Sequence, residues 1–561
     1  MKEITTQYRR KLLLIALISL IALACICSSC NRSLSTNDGP PKNALVINVT
    51  ANTSLKPWLE TAIENFNGKE VETEAGKTIY VQLNLAEAGQ SVVEMANVAA
   101  PLPDLWIPDA QVWVDVLANK GNAKFLDSCI SVAESPLVIA MWQPIAEALG
   151  WPSRSLGWLD VGSLAADPSA WDYYSGGQFG DALRLGHTHP GLSNSGVSTL
   201  IAIVQAAEAK TEAVNAEEMQ EPVVQASVNA FEAAVSWFST STNNLGQTMS
   251  ERGIGYLGAA VVYESTVVNY GDTYPAIVPI YPFEGTFMAK HPACLNSAMN
   301  TNAREAAEIF REYLLGEEGQ QMAMAYGLRP VNKNVSLGSP LDESRGIDLT
   351  QPEAIFNAPS VESIYAIQDL WQSARKNINL VMVLDTSGSM MNGKIENARR
   401  AARQFVEQMG DDDYISIIAF SDEPMVLASH WKVGETRNEV ASILNGLEAY
   451  GGTAFYDALG KSASIIGNTT SSQTSNVIVA LTDGMDTSSS LYAFNSHLIK
   501  TATANNTTIF TIAYGNDADE AVLTNLALQT NGNFYLGTEA SIAAIYQEMS
   551  AAFGGSVGVG R

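Results

Sequence analysis

The stretch that most constrains this 561-residue chain is a short apolar run that ends in an acid and two hydroxyl residues. Residues 378–384 read Ile-Asn-Leu-Val-Met-Val-Leu, and Asp-Thr-Ser-Gly-Ser follows at 385–389. A short, continuous and partly β-branched run is typical of a strand buried on both faces of a parallel sheet. Because ligands of open α/β sheets bind beyond the carboxyl ends of the strands, Asp385, Ser387 and Ser389 are candidate site residues.

The chemistry of these side chains indicates a hard divalent cation, because Mg²⁺ prefers oxygen ligands and usually keeps waters and open positions. Two further oxygen ligands are expected from other loops. Thr453 lies on a glycine-rich turn before a predicted helix, and Asp483 follows closely after the apolar run 476–481. The sequence therefore predicts a site for Mg²⁺, or for Mn²⁺ with the same ligands, at one edge of the sheet.

These positions resemble the pattern of a von Willebrand factor type A domain with a metal-ion-dependent adhesion site. The pattern is Asp-x-Ser-x-Ser, then a distant Thr and a distant Asp, and it is filled here by Asp385, Ser387, Ser389, Thr453 and Asp483. The resemblance implies direct metal contacts from the three hydroxyls and contacts of the two carboxylates wholly or partly through water. It also implies a sixth position for an acidic group of a protein partner. The alternative interpretation is that Asp385 and its serines only cap a helix.

The elements that follow the first run alternate regularly. Apolar strands at 414–420, 476–481 and 508–514 are separated by amphipathic helices. This order predicts a doubly wound, Rossmann-like α/β domain over residues 377–553, which is an ordinary domain size. A P-loop is excluded because no G-x-x-x-x-G-K-[ST] sequence is present. The glycine-rich residues 554–561 are predicted to form a frayed tail.

Strands and helices also alternate upstream, over residues 44–335, and this predicts a second α/β body. Its element order, the ending Gly-Leu-Arg-Pro-Val-Asn at 327–332 and an export signal resemble a type II bacterial extracellular solute-binding protein. In that family two periplasmic-binding-protein-like lobes close on a ligand at a hinge. Residues 336–376 are expected to link this domain to the next one. The one helix predicted within them, which has apolar positions at helical spacing, is expected to pack between the domains.

The resemblance implies a ligand cleft between the two lobes. The candidate cleft residues lie at predicted strand ends and helix starts: Thr53, Ser54, Asp109, Ser193, Ser195 and Glu264. Helix N-termini with free backbone N–H groups suit anionic or polyhydroxyl ligands. For Ser193 and Ser195, plain helix capping is an equally good interpretation.

Residues 1–30 have the pattern of a lipoprotein signal peptide. A basic segment at 1–10 precedes an apolar stretch of about 15 residues, which is short for a membrane span. Small residues precede both Cys30 and Cys25, and either cysteine is a candidate for lipidation; an uncleaved signal anchor is the alternative. Residues 31–43 read as a polar tether. We therefore expect an exported protein, anchored to the outer face of the bacterial cytoplasmic membrane.

Charge and cysteine usage further constrain the partners and the compartment. The formal net charge of −27 argues against nucleic acid partners and against electrostatic docking on anionic lipid. Of the five cysteines, Cys129 and Cys294 lie outside the signal and could pair in an oxidising compartment. We predict a disulfide between them.

Together these features predict a surface-tethered protein that binds rather than catalyses. A protein partner would be held through a carboxylate on the metal, while the upstream domain would bind a small solute or serve as a recognition module. The alternative is a solute receptor of an ABC transporter with the metal domain as an accessory contact. An enzyme is not favoured, because the sequence has no H-E-x-x-H motif and no G-x-S-x-G motif at a suitable turn.

Overall fold

The computed structural model describes residues 39–97, 99–471, 474–555 and 559. The predicted signal peptide, both candidate lipidation sites (Cys25 and Cys30) and most of the predicted tether lie outside these residues. Among the described residues, no helix combines the length and the apolar character needed to cross a membrane.

The secondary structure alternates along the whole described chain. The strands are β1 (Leu45–Ala51), β2 (Ile79–Leu85), β3 (Leu105–Ile107), β4 (Cys129–Ser131), β5 (Ser135–Trp142), β6 (Leu185–Thr188), β7 (Val235–Ser239), β8 (Ala259–Tyr263), β9 (Ile277–Ile280), β10 (Met288–Ala289), β11 (Pro292–Leu295), β12 (Asn377–Asp385), β13 (Tyr414–Phe420), β14 (Pro424–Lys432), β15 (Thr474–Thr482), β16 (Thr508–Tyr514) and β17 (Phe534–Gly537). The helices are α1 (Lys56–Gly68), α2 (Ala88–Ala96), α3 (Val112–Asn119), α4 (Gln143–Ala148), α5 (Trp158–Ala166), α6 (Pro168–Ser175), α7 (Asn194–Ala207), α8 (Pro222–Glu232), α9 (Thr242–Arg252), α10 (Glu264–Tyr270), α11 (Thr301–Leu315), α12 (Glu317–Ala325), α13 (Val361–Ala374), α14 (Lys394–Gln408), α15 (Val433–Asn445), α16 (Phe455–Thr469), α17 (Ser496–Thr503), α18 (Glu520–Gln529) and α19 (Ile542–Ala552).

The upstream domain consists of two α/β lobes, which confirms the predicted architecture. The sheet of the first lobe has the strand order β2-β1-β3-β11-β4, and that of the second has the order β10-β5-β8-β6-β7, with β9 beside β5. The chain crosses to the second lobe after β4 and returns at β11. These two strands are antiparallel neighbours with Cys129 opposite Cys294, and the structure joins these cysteines in a disulfide.

The C-terminal domain is the predicted doubly wound α/β domain. Its strand order is β14-β13-β12-β15-β16-β17, and the neighbours are parallel except for the edge strand β14. In β12, Leu380 and Met382 pack into the core formed with α14 and α19, whereas Val381 and Val383 pack into the core formed with α16 and α17. Burial on both faces explains why the run at 378–384 is continuously apolar rather than alternating.

Residues 336–376, the predicted linker with one helix, pack against the upstream domain. Helix α13 buries Ile364, Ile367 and Trp371 in the core of the upstream domain. The Trp371 indole N–H also donates to the buried carboxylate of Glu232, at 3.2 Å. Because the apolar positions of this helix recur at helical spacing, they form one face that packs on the upstream domain. The upstream body therefore extends to the end of α13, directly before β12.

The prediction of a frayed tail is wrong for the described residues after Phe553. The carbonyl oxygen of Gly555 accepts a hydrogen bond from His189 Nε2 at 2.8 Å. The backbone N–H of Val559 donates to the carbonyl oxygen of Gly191 at 2.6 Å, and the Val559 side chain is buried in the upstream core. A short glycine-rich stretch has no periodicity, so its sequence does not show which residue docks.

The C-terminal domain contacts the upstream domain at the edge where its strands begin. Arg252, at the end of α9, donates to the Gly532 carbonyl at 2.6 Å and to Asn533 Oδ1 at 2.9 Å, directly before β17. Arg375, between α13 and β12, pairs with Asp413 directly before β13. The carboxyl ends of β12 and β15 therefore lie at the opposite edge of the sheet, away from these contacts.

Candidate metal centre

The candidate metal centre lies at the carboxyl ends of β12 and β15, beside the turn that precedes α16. Asp385 is the last residue of β12 and is buried. One oxygen of its carboxylate accepts a hydrogen bond from the backbone N–H of Ser387 at 2.7 Å, and the other accepts one from the Thr482 hydroxyl at 2.5 Å. The buried strand fixes the backbone, and these two bonds fix the carboxylate.

The serine hydroxyls of the loop after β12 are hydrogen-bonded to each other and to Asp483, the second carboxylate of the centre. The Oγ atoms of Ser387 and Ser389 lie 2.9 Å apart, and Ser389 donates to Asp483 Oδ1 at 2.5 Å. Thr453 reaches the same place, because a Cβ added at Gly484 would lie 3.7 Å from Thr453 Oγ1 and 3.9 Å from Ser389 Oγ. The structure thus brings together the five predicted metal-binding residues, which come from three separate loops.

Hydrogen bonds between loops position Thr453. Its carbonyl oxygen accepts from the backbone N–H of Thr487 at 2.9 Å, and the Tyr450 N–H donates to the Thr386 carbonyl at 2.8 Å. The carboxylate of Asp457, in the first turn of α16, accepts from consecutive backbone N–H groups of the neighbouring loop: Ser490, Leu491 and Tyr492. The turn that carries Thr453 is therefore fastened to the loops after β12 and β15.

The centre also contains one basic side chain, Lys394, that the sequence analysis missed. Burial raises the pKa of Asp385; hydrogen bonds from Ser387 and Thr482 lower it, and the nearby charge of Asp483 raises it. Lys394 Nζ donates to Asp483 Oδ2 at 2.5 Å, so an ammonium group shares the buried carboxylate. The sequence feature that points to Lys394 is its position as the first residue of the helix that follows the Asp-Thr-Ser-Gly-Ser loop.

The donor set fits a divalent cation that is held largely by neutral oxygens. In the part of the chain that the structure describes, no group of three or more His, Cys, Asp or Glu side chains could hold a metal. The centre has instead three convergent hydroxyls and two carboxylates. Such oxygens suit Mg²⁺ or Mn²⁺, and a Mg²⁺ site commonly uses one or two carboxylates and retains waters.

The predicted solute cleft is a second cluster of polar side chains. Its members at the boundary between the lobes are Thr53, Asp109, Ser193 and Ser195. Ser195 Oγ lies 2.8 Å from Thr242 Oγ1, and the Tyr263 hydroxyl donates to Asp109 Oδ2 at 2.6 Å. Thr53 donates to Glu87, a buried acid that the sequence analysis missed although it follows β2 and directly precedes α2.

The other two predicted cleft residues have partners that give them structural roles. Ser54 Oγ donates to Asn52 Oδ1 at 2.6 Å, as part of a helix cap. Glu264 is buried and accepts two hydrogen bonds from Arg329, at 2.8 and 2.6 Å, and a third from the Tyr281 hydroxyl. A buried carboxylate requires such partners, so these bonds give Glu264 a role in the fold.

The pKa of Asp109 predicts a pH dependence of stability. Burial and the neighbouring Glu87 charge raise the pKa of Asp109 to about 8, although the Tyr263 hydrogen bond opposes this. The folded protein then retains a proton that the unfolded chain releases near pH 3.8, so stability should fall as the pH rises from the unfolded to the folded pKa. Since one pKa unit corresponds to about 1.4 kcal/mol, we expect a loss on the order of a few kcal/mol.

Urea unfolding at a series of pH values measures this dependence. Asp109→Asn should flatten the profile, whereas Asp127→Asn, at an exposed position, should leave it as in the wild type. Parallel profiles for the wild type and Asp109→Asn would contradict the assignment.

Comparison with known families agrees with this organisation. The fold has two modules, and the families that match them support a binding protein. A family model described as "Bacterial extracellular solute-binding protein" matches residues 47–329, and one described as "von Willebrand factor type A domain" matches residues 379–548. The first match spans half of the chain, and the chain belongs to the bacterial extracellular solute-binding protein family. Its C-terminal part is a von Willebrand factor type A domain.

Individual relatives resemble one module or the other. Human inter-alpha-trypsin inhibitor heavy chain H6 is 29% identical over 191 residues, which are 31% of this chain and 14% of H6. The chain thus spans less than a fifth of the length of the curated relatives that it matches. A von Willebrand factor type A structure from Catenulispora acidiphila is 22% identical (TM-score 0.30) and covers 32% of this chain and 43% of its own. The periplasmic binding protein AfuA from Actinobacillus pleuropneumoniae is 15% identical (TM-score 0.42) and covers 59% of this chain and 98% of its own.

Proposed function

We propose that this protein binds a protein partner through a divalent cation held by its C-terminal domain. The hydroxyls of Ser387, Ser389 and Thr453 would hold Mg²⁺ or Mn²⁺, and Asp385 and Asp483 would bind it wholly or partly through water. When bound, the ion supplies the positive charge that attracts an Asp or Glu carboxylate of the partner. The observation that carries the proposal is the convergence of three hydroxyls beside two buried carboxylates.

The residues of the centre favour an incoming anion. Neutral hydroxyls compensate less of a cation's charge than additional carboxylates would. Lys394 acts in the same direction, because its ammonium group already shares the Asp483 carboxylate at 2.5 Å. Asp385 likewise uses both of its oxygens for Ser387 and Thr482. An ion held by these donors keeps much of its positive charge. It should therefore attract a negatively charged ligand, such as a carboxylate of the partner, most strongly.

The surface around the centre supports a macromolecular partner. Three apolar side chains that neighbour the ligands in the sequence are exposed: Met391 by 49%, Tyr450 by 50% and Met485 by 60%. Exposed Met and Tyr side chains around a polar centre are typical of protein–protein interfaces. This edge of the sheet also lies opposite the contacts with the upstream domain, so a partner could approach it.

The upstream domain would bind a small solute or serve as a recognition module. Both matching families are binding or adhesion domains, which supports a protein without catalytic activity. The basic and apolar pattern of residues 1–30 supports export and anchoring by a lipid on Cys30 or Cys25, at the outer face of the bacterial cytoplasmic membrane. From such a tether the metal centre would face partners outside the cell membrane.

Affinity capture with the purified chain tests the proposed function. The immobilised protein is incubated with a native membrane extract in Mg²⁺ or in EDTA, and retained proteins are identified by mass spectrometry. We expect proteins that are retained in Mg²⁺, released by EDTA and not retained by Ser389→Ala. Asp517→Ala, an exposed carboxylate just after β16, is the matched control and should capture like the wild type. Equal capture in Mg²⁺ and EDTA would contradict a metal bridge.

A further inference from the structure

The boundary between the two lobes contains a buried carboxylate that the proposed function does not use. Glu87 is 1% exposed. Its Oε1 accepts a hydrogen bond from the backbone N–H of Thr242 at 3.2 Å, and its Oε2 accepts one from Asn52 Nδ2 at 3.3 Å. The Thr53 hydroxyl donates to Oε1. The Ser193 hydroxyl, which bonds to Ser195 Oγ at 3.1 Å, also lowers the pKa of the carboxylate. Three donors thus bond to one carboxylate.

These donors come from both lobes and from the starts of helices. Asn52 and Thr53 precede α1 in the first lobe. Thr242, the first residue of α9, belongs to the second lobe, and so does the neighbouring Ser193, which is the N-cap of α7. Helix N-termini with convergent N–H and hydroxyl groups form anion-binding sites. The anion in this one is a side chain of the protein itself.

We propose that Glu87 is an internal ligand, whose carboxylate occupies the anion position between the lobes and holds the upstream domain closed without a solute. The domain then acts as a rigid recognition module. The site accepts a free small carboxylate, such as formate, only when the Glu87 side chain is removed. This inference goes beyond the function proposed above and does not depend on the metal centre.

Two further observations support closure by the protein's own groups. Trp113 Nε1 of the first lobe donates to Asn194 Oδ1 of the second lobe at 2.9 Å, and both side chains are buried. The Gly89 N–H donates to the Leu192 carbonyl at 2.8 Å. A Cβ at Gly89 would lie 2.5 Å from the Gly191 carbonyl oxygen, so the backbones of the two lobes touch there. No solute fits between them at that point.

The hydrogen bonds also explain how a buried acid is tolerated at this place. Burial raises the pKa of Glu87, and the Ser193 hydroxyl and the bonds from Thr53, Thr242 and Asn52 lower it. Donors that stabilise a carboxylate offset part of its desolvation. The same donors are left without an acceptor when the carboxylate is removed, and buried donors without partners destabilise the fold.

Chemical rescue of Glu87→Ala tests the proposal on the full chain. Thermal unfolding is measured while sodium formate replaces sodium chloride, up to about 50 mM at constant ionic strength. We expect a Tm several degrees below that of the wild type, and a saturable rise of at least about 3 °C with formate. Glu94→Ala is the matched control, since Glu94 is exposed on α2 and bonds to Gln90 of the same helix.

The wild type and Glu94→Ala should shift by less than about 1 °C with formate. A folded Glu87→Ala protein that responds equally to formate and chloride would overturn the proposal. So would a saturable formate shift in the wild type, because the anion position would then be open.

Glu87→Gln keeps the test decisive if the alanine variant does not fold. The amide of this variant has the shape of the carboxylate, but its NH₂ group would face hydrogen-bond donors where Glu87 presents an acceptor oxygen. We expect a Tm several degrees below the wild type and no response to formate, because the side chain still fills the site. A Glu87→Gln protein as stable as the wild type would show that the carboxylate is not required, and would overturn the proposal.

Discussion

Asp385→Ala and Thr453→Ala should each weaken Mg²⁺ binding by about 10–100-fold or more, while the protein stays folded. Asp385 contributes negative charge, and its hydrogen bonds to Ser387 and Thr482 orient the loop that carries the hydroxyls. Thr453 supplies a hydroxyl from a separate turn beside Gly484. The centre has few ligands and little net charge, so the loss of either side chain should weaken metal binding strongly. Titration calorimetry with MgCl₂ measures the affinity, and circular dichroism checks the fold.

Two matched variants test whether the loss of Mg²⁺ binding is specific to the proposed ligands. Thr453→Ser retains the hydroxyl and should bind Mg²⁺ within about threefold of the wild type, which is less than 1 kcal/mol. Asp517→Ala removes an exposed carboxylate from the same edge of the sheet and should have no effect. Undiminished Mg²⁺ binding by both Asp385→Ala and Thr453→Ala would place the ion elsewhere.

Asp413→Ala and Arg375→Met should each destabilise the protein by about 3–5 kcal/mol. Arg375 donates two parallel hydrogen bonds to the Asp413 carboxylate, both at 3.0 Å, and the two side chains are only 4% and 2% exposed. Asp413 also accepts from the backbone N–H groups of Ile378 and Gly410, at 2.9 and 2.8 Å. Removal of one partner leaves a buried charge or buried donors uncompensated at the start of β12.

The adjacent residue provides the control. Asp412 pairs with Lys432 at 2.8 Å, but its side chain is 72% exposed, so Asp412→Ala should cost less than about 1 kcal/mol. Urea unfolding of the full chain compares the variants. Equal stability of Asp412→Ala and Asp413→Ala would contradict a structural role for the buried pair.

The local part of the architecture and of the site could be predicted from the sequence. A continuous apolar run can be recognised as a strand that is buried on both faces, and residues at strand ends meet at one edge of a parallel sheet. Asp385, Ser387 and Ser389 are close in sequence. Asp483 follows a neighbouring parallel strand, and Thr453 lies on a turn before a helix, so both are expected at the same edge of the sheet. For this reason the sequence alone predicts that the three loops meet at one edge of the sheet.

The features that escaped prediction depend on contacts between distant residues. Lys394 is an ordinary helix residue in the sequence, and only the fold brings its ammonium group to Asp483. Glu87 meets Thr242 only when the two lobes close. The position of Glu264 after a strand does not show that Arg329 bonds to its carboxylate, because that contact forms only in the fold. The docking of Val559 likewise depends on the surface of the upstream domain that receives it.

The central claim is that oxygens from three loops hold one divalent cation and leave a position for a partner's carboxylate. Diffraction from crystals grown with Mn²⁺ and acetate, measured at a wavelength where manganese scatters anomalously, tests it most directly. We predict one anomalous peak in contact with the hydroxyls of Ser387, Ser389 and Thr453, with an acetate oxygen on its outer side. A structure that holds Mn²⁺ elsewhere but shows no peak among these hydroxyls would contradict the account.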